Sequence, residues 1–383
     1  MLSSLISRTC LQLLAFVAVA RCASDAGSNS PQLDGDSDCD CFVINEALPT
    51  YYANHMFFDF RSLSEYAGVP DEIKDETKAY AAPYSNEYFS SDDWTDVWNM
   101  QTWDNSYGPG EGLANGGTVL MVNSRSNVYI EKNEDEDAAS DTYMTLKTKR
   151  LPGFQTASEF QSVEANYLYV SMRMLARTVG SAGAVTGMFT YRDESGELAD
   201  IQESDVEILT RGPRNKIQYT NQPSYSDDGD EYSEATRNAT TPDWSSWVVH
   251  RLDWTPDVVT WYADGEVVAR IEYQTPRDPT DLHFSCWSDG GTWSGNMSMN
   301  HEARQEIQWI EVLYNTTDKN VVEQKKRDEG ACQRVCSIDK SDDAGKSTVL
   351  SGGSAMRMTF ESGYRGMAAW VVALGVALFL QLV

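Results

Sequence analysis

The feature that most limits the possible folds is a repeated alternation of apolar and polar residues in short runs. Gly, Pro, Asn and Asp clusters break these runs apart. A period of two residues is typical of strands with one buried and one exposed face, and many short strands indicate a sandwich or barrel. We therefore predict an all-β fold, with strands at residues 118–122, 143–148, 167–174, 186–191, 201–210, 217–220, 247–254, 258–262, 266–271, 283–287 and 306–313.

Local signals refine this prediction at two places. Asp264-Gly265 separates two of the runs and is typical of a type I′ hairpin turn, which needs a positive φ at both central residues. Helix is expected only for a few turns near residues 92–99. Trp254, Trp261 and Trp309 alternate with apolar neighbours and are expected in the core.

Charge and aromatic content exclude two classes of protein. The 58 Asp and Glu residues against 30 Lys and Arg give a net charge of −28, which would repel a phosphate backbone and argues against nucleic acid as a partner. Aromatic residues make up 11% of the chain, too many for a disordered acidic protein. A sizeable core is therefore available.

The N-terminal residues 1–20 are predicted to be a secretory signal peptide. They carry Arg8, then an apolar stretch ending in Ala18-Val19-Ala20, a small-x-small cleavage pattern. An amphipathic or buried helix is the alternative.

The C-terminal residues 353–383 resemble a GPI-attachment signal. Small residues near 351–354 are followed by a short spacer and an apolar tail from Met367 to Val383. A single-span tail anchor is the alternative, because 17 apolar residues are near the lower limit for crossing a bilayer. We predict a secreted protein, anchored to the outer face of the plasma membrane or to the cell wall. Its body spans residues 40–315, between polar linkers at 21–39 and 316–352.

Sequons and cysteines agree with export. Asn-x-Ser/Thr sequons occur at Asn238, Asn296 and Asn315. After cleavage six cysteines would remain, an even number. Cys39 and Cys41 lie at the start of the body, and Cys332 and Cys336 lie just past its end. We therefore hypothesise that at least one disulfide joins the two ends; a local Cys332–Cys336 bridge is the alternative.

One strand carries an unusual set of acids. Along 201–210, Glu203, Asp205 and Glu207 share one face, while Ser204, Val206 and Ile208 share the other. Like charges side by side repel, so the set is either the solvent face of an edge strand or a catalytic site. Glycoside cleavage needs one carboxylate as nucleophile or base and a protonated carboxyl as acid, and repulsion raises the pKa of one of them.

The segment Glu203-Ser-Asp-Val-Glu207 resembles the active-site strand of glycoside hydrolase family 16, of the concanavalin A-like lectin/glucanase superfamily. Other segments resemble the family in the same order along the chain. Residues 54–61 are similar to the entry segment of fungal members, and the family's sequence pattern is completed by residues 160–191, 247–256, 259–265 and 287–295. Two residues depart from it: Ser204 stands where an apolar residue is usual, and Cys286 where a small polar one is usual. The resemblance implies a β-sandwich jelly roll with a concave substrate cleft, in a fungal GPI-anchored cell-wall type.

The resemblance also implies roles for residues. Glu203 would be the nucleophile, Asp205 its electrostatic helper and Glu207 the general acid/base of a retaining mechanism. Trp287 and Trp293, in a Gly-rich segment beside the cleft, would stack on sugar rings, unless one of them is core. His250 is expected either to orient a substrate hydroxyl or to be structural.

The expected function is hydrolysis of β-glucan-type wall polysaccharide. The alternatives are a transglycosylase that remodels wall glucan or chitin with the same residues, and a non-catalytic wall lectin, against which the intact triplet argues. No cofactor or metal is expected: the His residues lack zinc-ligand spacing. The acids at 227–231 are better explained as a solvated loop than as a structural calcium site, because their spacing matches no calcium loop.

Overall fold

The computed structural model describes residues 36–45, 49–108, 110–318, 332 and 334–350. Regular structure in them is almost all β, which confirms the all-β prediction. The strands are β1 Cys41–Ile44, β2 Thr50–Tyr52, β3 Asn54–Asp59, β4 Trp98–Met100, β5 Ser106–Gly108, β6 Gly112–Leu113, β7 Leu120–Asn123, β8 Val128–Lys132, β9 Thr142–Arg150, β10 Phe154–Ser162, β11 Tyr167–Gly180, β12 Val185–Arg192, β13 Gln202–Leu209, β14 Lys216–Gln222, β15 Thr236–Thr240, β16 Val248–Trp254, β17 Val259–Ala263, β18 Glu266–Ile271, β19 Asp281–Trp287, β20 Glu302–Thr316, β21 Val335–Ser337 and β22 Thr348–Val349.

Helices are short. They are α1 Glu76–Tyr80 and α2 Asp92–Thr95, with 3-10 turns at Asp36–Asp38, Ser64–Tyr66, Tyr88–Ser90, Ala114–Gly116, Arg125–Asn127 and Leu198–Asp200. α2 falls within the helical region expected near residues 92–99, but that region ends as strand β4. Among the residues described, no helix has the length and apolar character needed to span a membrane.

Most strands belong to one hydrogen-bonded path that folds over into two layers. Its order is β15-β14-β13-β12-β19-β10-β9-β20-β11-β16-β17-β18, with β4 and β7 also on β10, β8 on β9 and β3 on β20. Strand β10 joins the layers, because Gln155 and Thr156 pair with β9 whereas residues 158–161 pair with β19. Layer one therefore runs from β15 to β19 and on to β4, layer two runs from β9 to β18, and the molecule is the predicted β-sandwich jelly roll.

The core lies between the two layers. Met188, Val206 and Phe284 of layer one share a buried cluster with Met172, Leu252 and Trp261 of layer two. Tyr219 of β14 meets Trp261 of β17 across the gap, with ring centroids 5.7 Å apart. Each fully buried Leu, Met or Phe side chain contributes about 1.5–3 kcal/mol to folding. Trp254, Trp261 and Trp309 are at most 6% exposed, so their prediction as core residues is confirmed.

The predicted hairpin is also present. Strands β17 and β18 pair from Ala263 and Glu266 outward, and the turn residues Asp264 and Gly265 have φ values of 49° and 81°. These values fit a type I′ turn, whose twist matches that of the flanking strands.

A separate, four-stranded sheet joins the two ends of the body. Its order is β2-β1-β21-β22, and it packs on layer two through Phe42, Ile44, Tyr52, Cys336 and Leu313. We call it the terminal sheet. The segments predicted as linkers are therefore partly folded: residues 36–39 and 334–350 belong to this unit or lie against it. Their strands are two or three residues long, too short for a detectable alternation, so tertiary contacts and disulfides determine their structure.

Two disulfides close the terminal sheet. Cys39 bonds to Cys336 and Cys41 to Cys332, with Cα atoms 5.7 and 5.4 Å apart. The hypothesis that a bridge joins the two ends is confirmed, and the local Cys332–Cys336 alternative is wrong. Cys286 is free and buried. The predicted signal peptide, most of the first linker and the predicted GPI signal lie outside the described residues.

Candidate active site

Strand β13 shows the alternation that the sequence predicts. Ser204, Val206 and Ile208 face the core and are at most 1% exposed, and the Ser204 hydroxyl donates to Oδ1 of Asn221 at 2.8 Å. This hydrogen bond explains how a polar residue is tolerated at that position. Glu203, Asp205 and Glu207 point to the other side of layer one, which we call the carboxylate face. Asp205 is only 2% exposed although it points away from the core, so neighbouring side chains enclose it in a recess.

The strands beside β13 supply the rest of this recess. On β12, Gly187 stands opposite Glu207, and on β14 Gln218 does so from the other side. A Cβ added to Gly187 would lie 3.1 Å from the Ser285 hydroxyl oxygen, so the glycine keeps the space beside Glu207 open. A glycine inside a strand often marks a close approach of a ligand.

Burial raises the pKa of all three carboxyls, and the negative charge of a neighbouring carboxylate adds to each rise. Burial raises the pKa of Glu207 to about 7; the indole N–H of Trp293 opposes the rise and the charge of Glu203 adds to it. Burial likewise raises the pKa of Glu203 to about 7, against a hydrogen bond from Asp205 and the positive charge of His283. The pKa of Asp205 lies well above its usual range, because of burial and of the charges of Glu203 and Glu207.

These shifts define what the triplet can do. The raised pKa of Asp205 favours its neutral form, and a neutral Asp205 between the two outer carboxyls would reduce the repulsion along the strand. Glu203 and Glu207 titrate near neutrality as one coupled system. A site of this kind can hold one carboxylate and one carboxylic acid at the same time, as general acid catalysis near pH 7 requires.

The two tryptophans predicted to bind sugar lie in different environments. Trp293, in the loop after β19, donates from Nε1 to Oε1 of Glu207 at 3.0 Å. Trp287 ends β19, and its place in the strand alternation puts it on the carboxylate face, cross-strand from Val185. Both are partly buried. Stacking on sugar rings stays a prediction for each of them, whereas the contact of Trp293 with Glu207 was not foreseen.

Sequence reasoning also missed a charged group in the recess. His283 of β19 lies 3.0 Å from Oε1 of Glu159 through Nδ1 and 2.8 Å from Oδ1 of Asp281 through Nε2, and its ring stacks on Phe189 at 4.7 Å. Burial alone would lower the pKa of His283, but the two carboxylates raise it to about 9, so the ring is a cation at neutral pH. The only signal in the sequence was its position two residues from Asp281 in a strand of alternating polarity; the partner Glu159 is 124 residues away.

Other candidate residues lie elsewhere. His250 is 1% exposed in layer two on the core side of β16, so a role in orienting substrate is wrong. Cys286 points to the core, with Sγ near the Ala303 carbonyl, and Ser285 takes the neighbouring place on the carboxylate face. The acids at 227–231 lie on an exposed loop between β14 and β15. Over the described residues no three His, Cys, Asp or Glu side chains are grouped so as to hold a metal ion.

The asparagines of the three sequons differ in their exposure to solvent. Asn238 and Asn296 are exposed. The Asn315 amide is partly buried: its oxygen accepts from the Ala53 N–H at 2.9 Å and its nitrogen donates to the Tyr51 carbonyl at 3.2 Å. Glycosylation of each stays a prediction.

A two-layer β fold with three coupled carboxyls in a recess defines a candidate acid–base site of the glycosidase kind. Residues 122–311 match the family model "Glycosyl hydrolases family 16", and the chain therefore carries a glycoside hydrolase family 16 domain. All the residues of the recess named above lie within this match.

Curated relatives are similar over part of their length. The chain is 25% identical over 177 residues to "Probable glycosidase CRR1" of Saccharomyces cerevisiae. The aligned region covers 40% of this chain and 42% of that protein. It is 23% identical over 154 residues to the "Beta-glucanase" of Bacillus licheniformis, covering 40% of this chain and 60% of that enzyme. The chain thus spans about half of each relative's length.

The chain is also similar to solved structures. One is a prokaryotic β-1,3-1,4-glucanase (lichenase) derived from a mouse hindgut metagenome, with a TM-score of 0.45 and 16% sequence identity. The match covers 69% of this chain and 99% of that one. The laminarinase catalytic domain of Thermotoga maritima MSB8 has a TM-score of 0.47 and 16% identity, covering 73% of this chain and 100% of that one.

Proposed function

We propose that this chain is a retaining glycoside hydrolase that cleaves β-glucan-type polysaccharide of a cell wall. The observation that carries the proposal is the coupled triplet, with Glu203 and Glu207 both titrating near pH 7 in one recess. The family 16 domain and the β-glucanases among the relatives support it.

The chemistry follows from these charges. In the first step a carboxylate oxygen of Glu203 attacks the anomeric carbon, while Glu207 gives its proton to the glycosidic oxygen of the departing chain. In the second step Glu207, now a carboxylate, takes a proton from water as the water attacks the anomeric carbon and releases Glu203. Retention requires the two carboxyl groups to be about 5–5.5 Å apart. The raised pKa of Asp205 favours its neutral form, which would limit repulsion between them.

The test uses the purified full chain and a panel of β-1,3-, mixed-linkage β-1,3/1,4- and β-1,6-glucans and chitin. Glu203→Gln and Glu207→Gln should each lose at least about 10³-fold in kcat/KM, because each removes a reacting group. Glu266→Gln, at an exposed position on β18, is the matched control and should keep full activity. NMR of the first product should show the β-anomer; an α-product would reject retention, and full activity in either active-site variant would reject the site.

Transfer to a second sugar chain is the alternative reaction of the same residues. It is favoured by the predicted surface anchoring, which would hold the enzyme beside wall polymers. Incubation with a fluorescent oligosaccharide acceptor separates the reactions: longer labelled products mean transfer, and new reducing ends without labelled products mean hydrolysis. Binding without either product would support a lectin.

We also propose that the protein is exported, glycosylated and held at the cell surface by a GPI anchor. The two disulfides support export, because such bridges persist in oxidising compartments. N-terminal sequencing of the secreted form should begin near residue 21. Phosphatidylinositol-specific phospholipase C should release the protein from cells; retention in the membrane would favour the tail anchor.

A further inference from the structure

We propose that an N-linked glycan on Asn238 forms one wall of the substrate cleft and closes it at the β15 end. The inference rests on the proposed function, since it assumes that the carboxylate face binds a polysaccharide. It begins from the sequon Asn238-Ala239-Thr240, which lies on strand β15 with Asn238 exposed.

Strand register places Asn238 in line with the general acid. Asn238 pairs with Gln218 of β14, and Gln218 pairs with Glu207 of β13, without a register shift in either ladder. Residues that are direct cross-strand partners project from the same face of a sheet. Neighbouring strands are about 4.8 Å apart, so the Cα atoms of Asn238 and Glu207 are separated by about 10 Å.

Packing of the next residue fixes which face this is. Ala239 packs against the core between the layers. Because side chains alternate along a strand, Asn238 points to the opposite side, which is the carboxylate face. Thr236 and Thr240 of β15 share that side: Thr236 lies 3.3 Å from Thr220, the neighbour of Asp205, and Thr240 accepts from Lys216 at 2.6 Å.

The other two sequons lack this relationship. Asn296 lies in the loop that follows Trp293, outside the strands. The amide of Asn315 bonds to backbone groups of residues 51 and 53 on the far layer. Asn238 is therefore the sequon whose glycan would share a sheet face with the carboxyls.

The position has a consequence for substrate binding. β15 is the outermost strand of layer one, so a polysaccharide crossing the strands from β19 over β13 would next meet β14 and then the glycan. A branched, hydrated oligosaccharide is wider than one strand spacing and excludes a second sugar chain by volume. On the opposite side, strands β19, β10 and β4 themselves carry no sequon, and Asn296 lies in the loop after β19. A glycan on Asn238 should therefore close the cleft at its β15 end.

The experiment compares the secreted full chain with Asn238→Gln and Thr240→Ala, which both abolish the sequon through different residues, and with Thr240→Ser, which keeps it. Intact peptide mass spectrometry gives occupancy at residue 238, and circular dichroism checks folding. Activity is measured on long mixed-linkage β-1,3/1,4-glucan and on a short labelled oligosaccharide of the same linkages. Enzymatic trimming of the folded wild-type protein supplies a comparison without any substitution.

We expect occupancy at residue 238 in the wild type and Thr240→Ser, and a several-fold rise in kcat/KM on the long polymer in both sequon-null variants and after trimming. Activity on the short oligosaccharide should stay the same, and long products from internal cleavage should become more abundant. An unoccupied Asn238, or occupied protein whose product lengths do not change when the glycan is lost, would overturn the inference. Loss of all activity in the wild type would instead reject the proposed function, so the two failures are distinct.

Discussion

The indole Nε1 of Trp293 donates a hydrogen bond to Oε1 of Glu207 at 3.0 Å, across 86 residues of sequence. The donor favours the ionised form of Glu207 and so lowers a pKa that burial has raised. A residue expected only to stack on sugar thereby also tunes the proposed general acid.

Replacing Trp293 by Phe should move the basic limb of the pH profile upward. Phe keeps the flat ring but has no N–H, so Glu207 holds its proton to higher pH. A hydrogen bond to a charged group is worth about 1.5 kcal/mol, which corresponds to a shift of about one pH unit. The profile of kcat/KM against pH measures it. Trp287→Phe is the matched control and should leave the basic limb in place; an unmoved limb in Trp293→Phe would refute the coupling.

His283→Gln should move the acidic limb upward. The imidazolium, between Glu159 and Asp281, lowers the pKa of Glu203, so its loss makes the proposed nucleophile harder to ionise. The other groups that face it are Tyr191, whose ring meets the imidazole edge-on, and the carboxyls of β13. We expect kcat/KM at pH 5 to fall several-fold more than at pH 8. His301→Gln, on a loop beside Ser181, should not alter the profile.

A merely structural role for His283 predicts a different result. Activity would then fall by the same factor at every pH, together with a loss of folded protein seen by thermal denaturation. Circular dichroism at pH 5 and pH 8 separates this outcome from a true displacement of the limb.

Glu207→Gln should stabilise the fold at alkaline pH while abolishing activity. The pKa of Glu207 is about 7 in the folded protein and 4.5 as its ordinary value, so protonation favours folding. This stabilisation is complete below pH 4.5 and is lost as the pH rises through 7. Gln carries no charge, so at pH 8 the variant should be more stable by about 1–3 kcal/mol, and at pH 4 equal to the wild type. Urea unfolding at both pH values tests this; equal stability at pH 8 would contradict the raised pKa.

The terminal sheet should weaken above neutral pH because of His55. This side chain is fully buried, with Nδ1 2.8 Å from Asp36 and Nε2 3.1 Å from Glu311. Burial alone would lower the pKa of His55, but these carboxylates raise it to about 9. The resulting stabilisation is complete below pH 6.5 and is lost as the pH rises through 9.

We expect His55 to contribute about 2–3 kcal/mol to the fall in the free energy of unfolding of the wild type between pH 6.5 and 9.5. His55→Gln should start lower and show less of this fall, while His301→Gln should follow the wild type. Denaturant titrations over this range check both, with disulfides kept intact. A wild-type curve parallel to that of His55→Gln would show that His55 does not carry the charge.

Local periodicity was enough to predict much of this molecule. The alternation along residues 201–210 placed Glu203, Asp205 and Glu207 on one face, and Asp264-Gly265 predicted the hairpin. Both depend on backbone geometry over a few residues, so neighbours in the sequence suffice to recognise them. Strands β21 and β22 of the terminal sheet lie in a segment predicted as linker, because such short strands show no alternation and are stabilised by disulfides and by packing on layer two.

The sequence by itself determined the all-β class, the carboxylate triplet and the cysteines available to join the ends. The tertiary structure decided which groups meet that triplet: Trp293 on Glu207, His283 between Glu159 and Asp281, and Asn238 in register with Glu207 across β14. It also places His250 in the core, away from the carboxylate face. The physical reason is that side-chain alternation is a property of one strand, whereas strand order and register depend on packing between residues far apart in the chain.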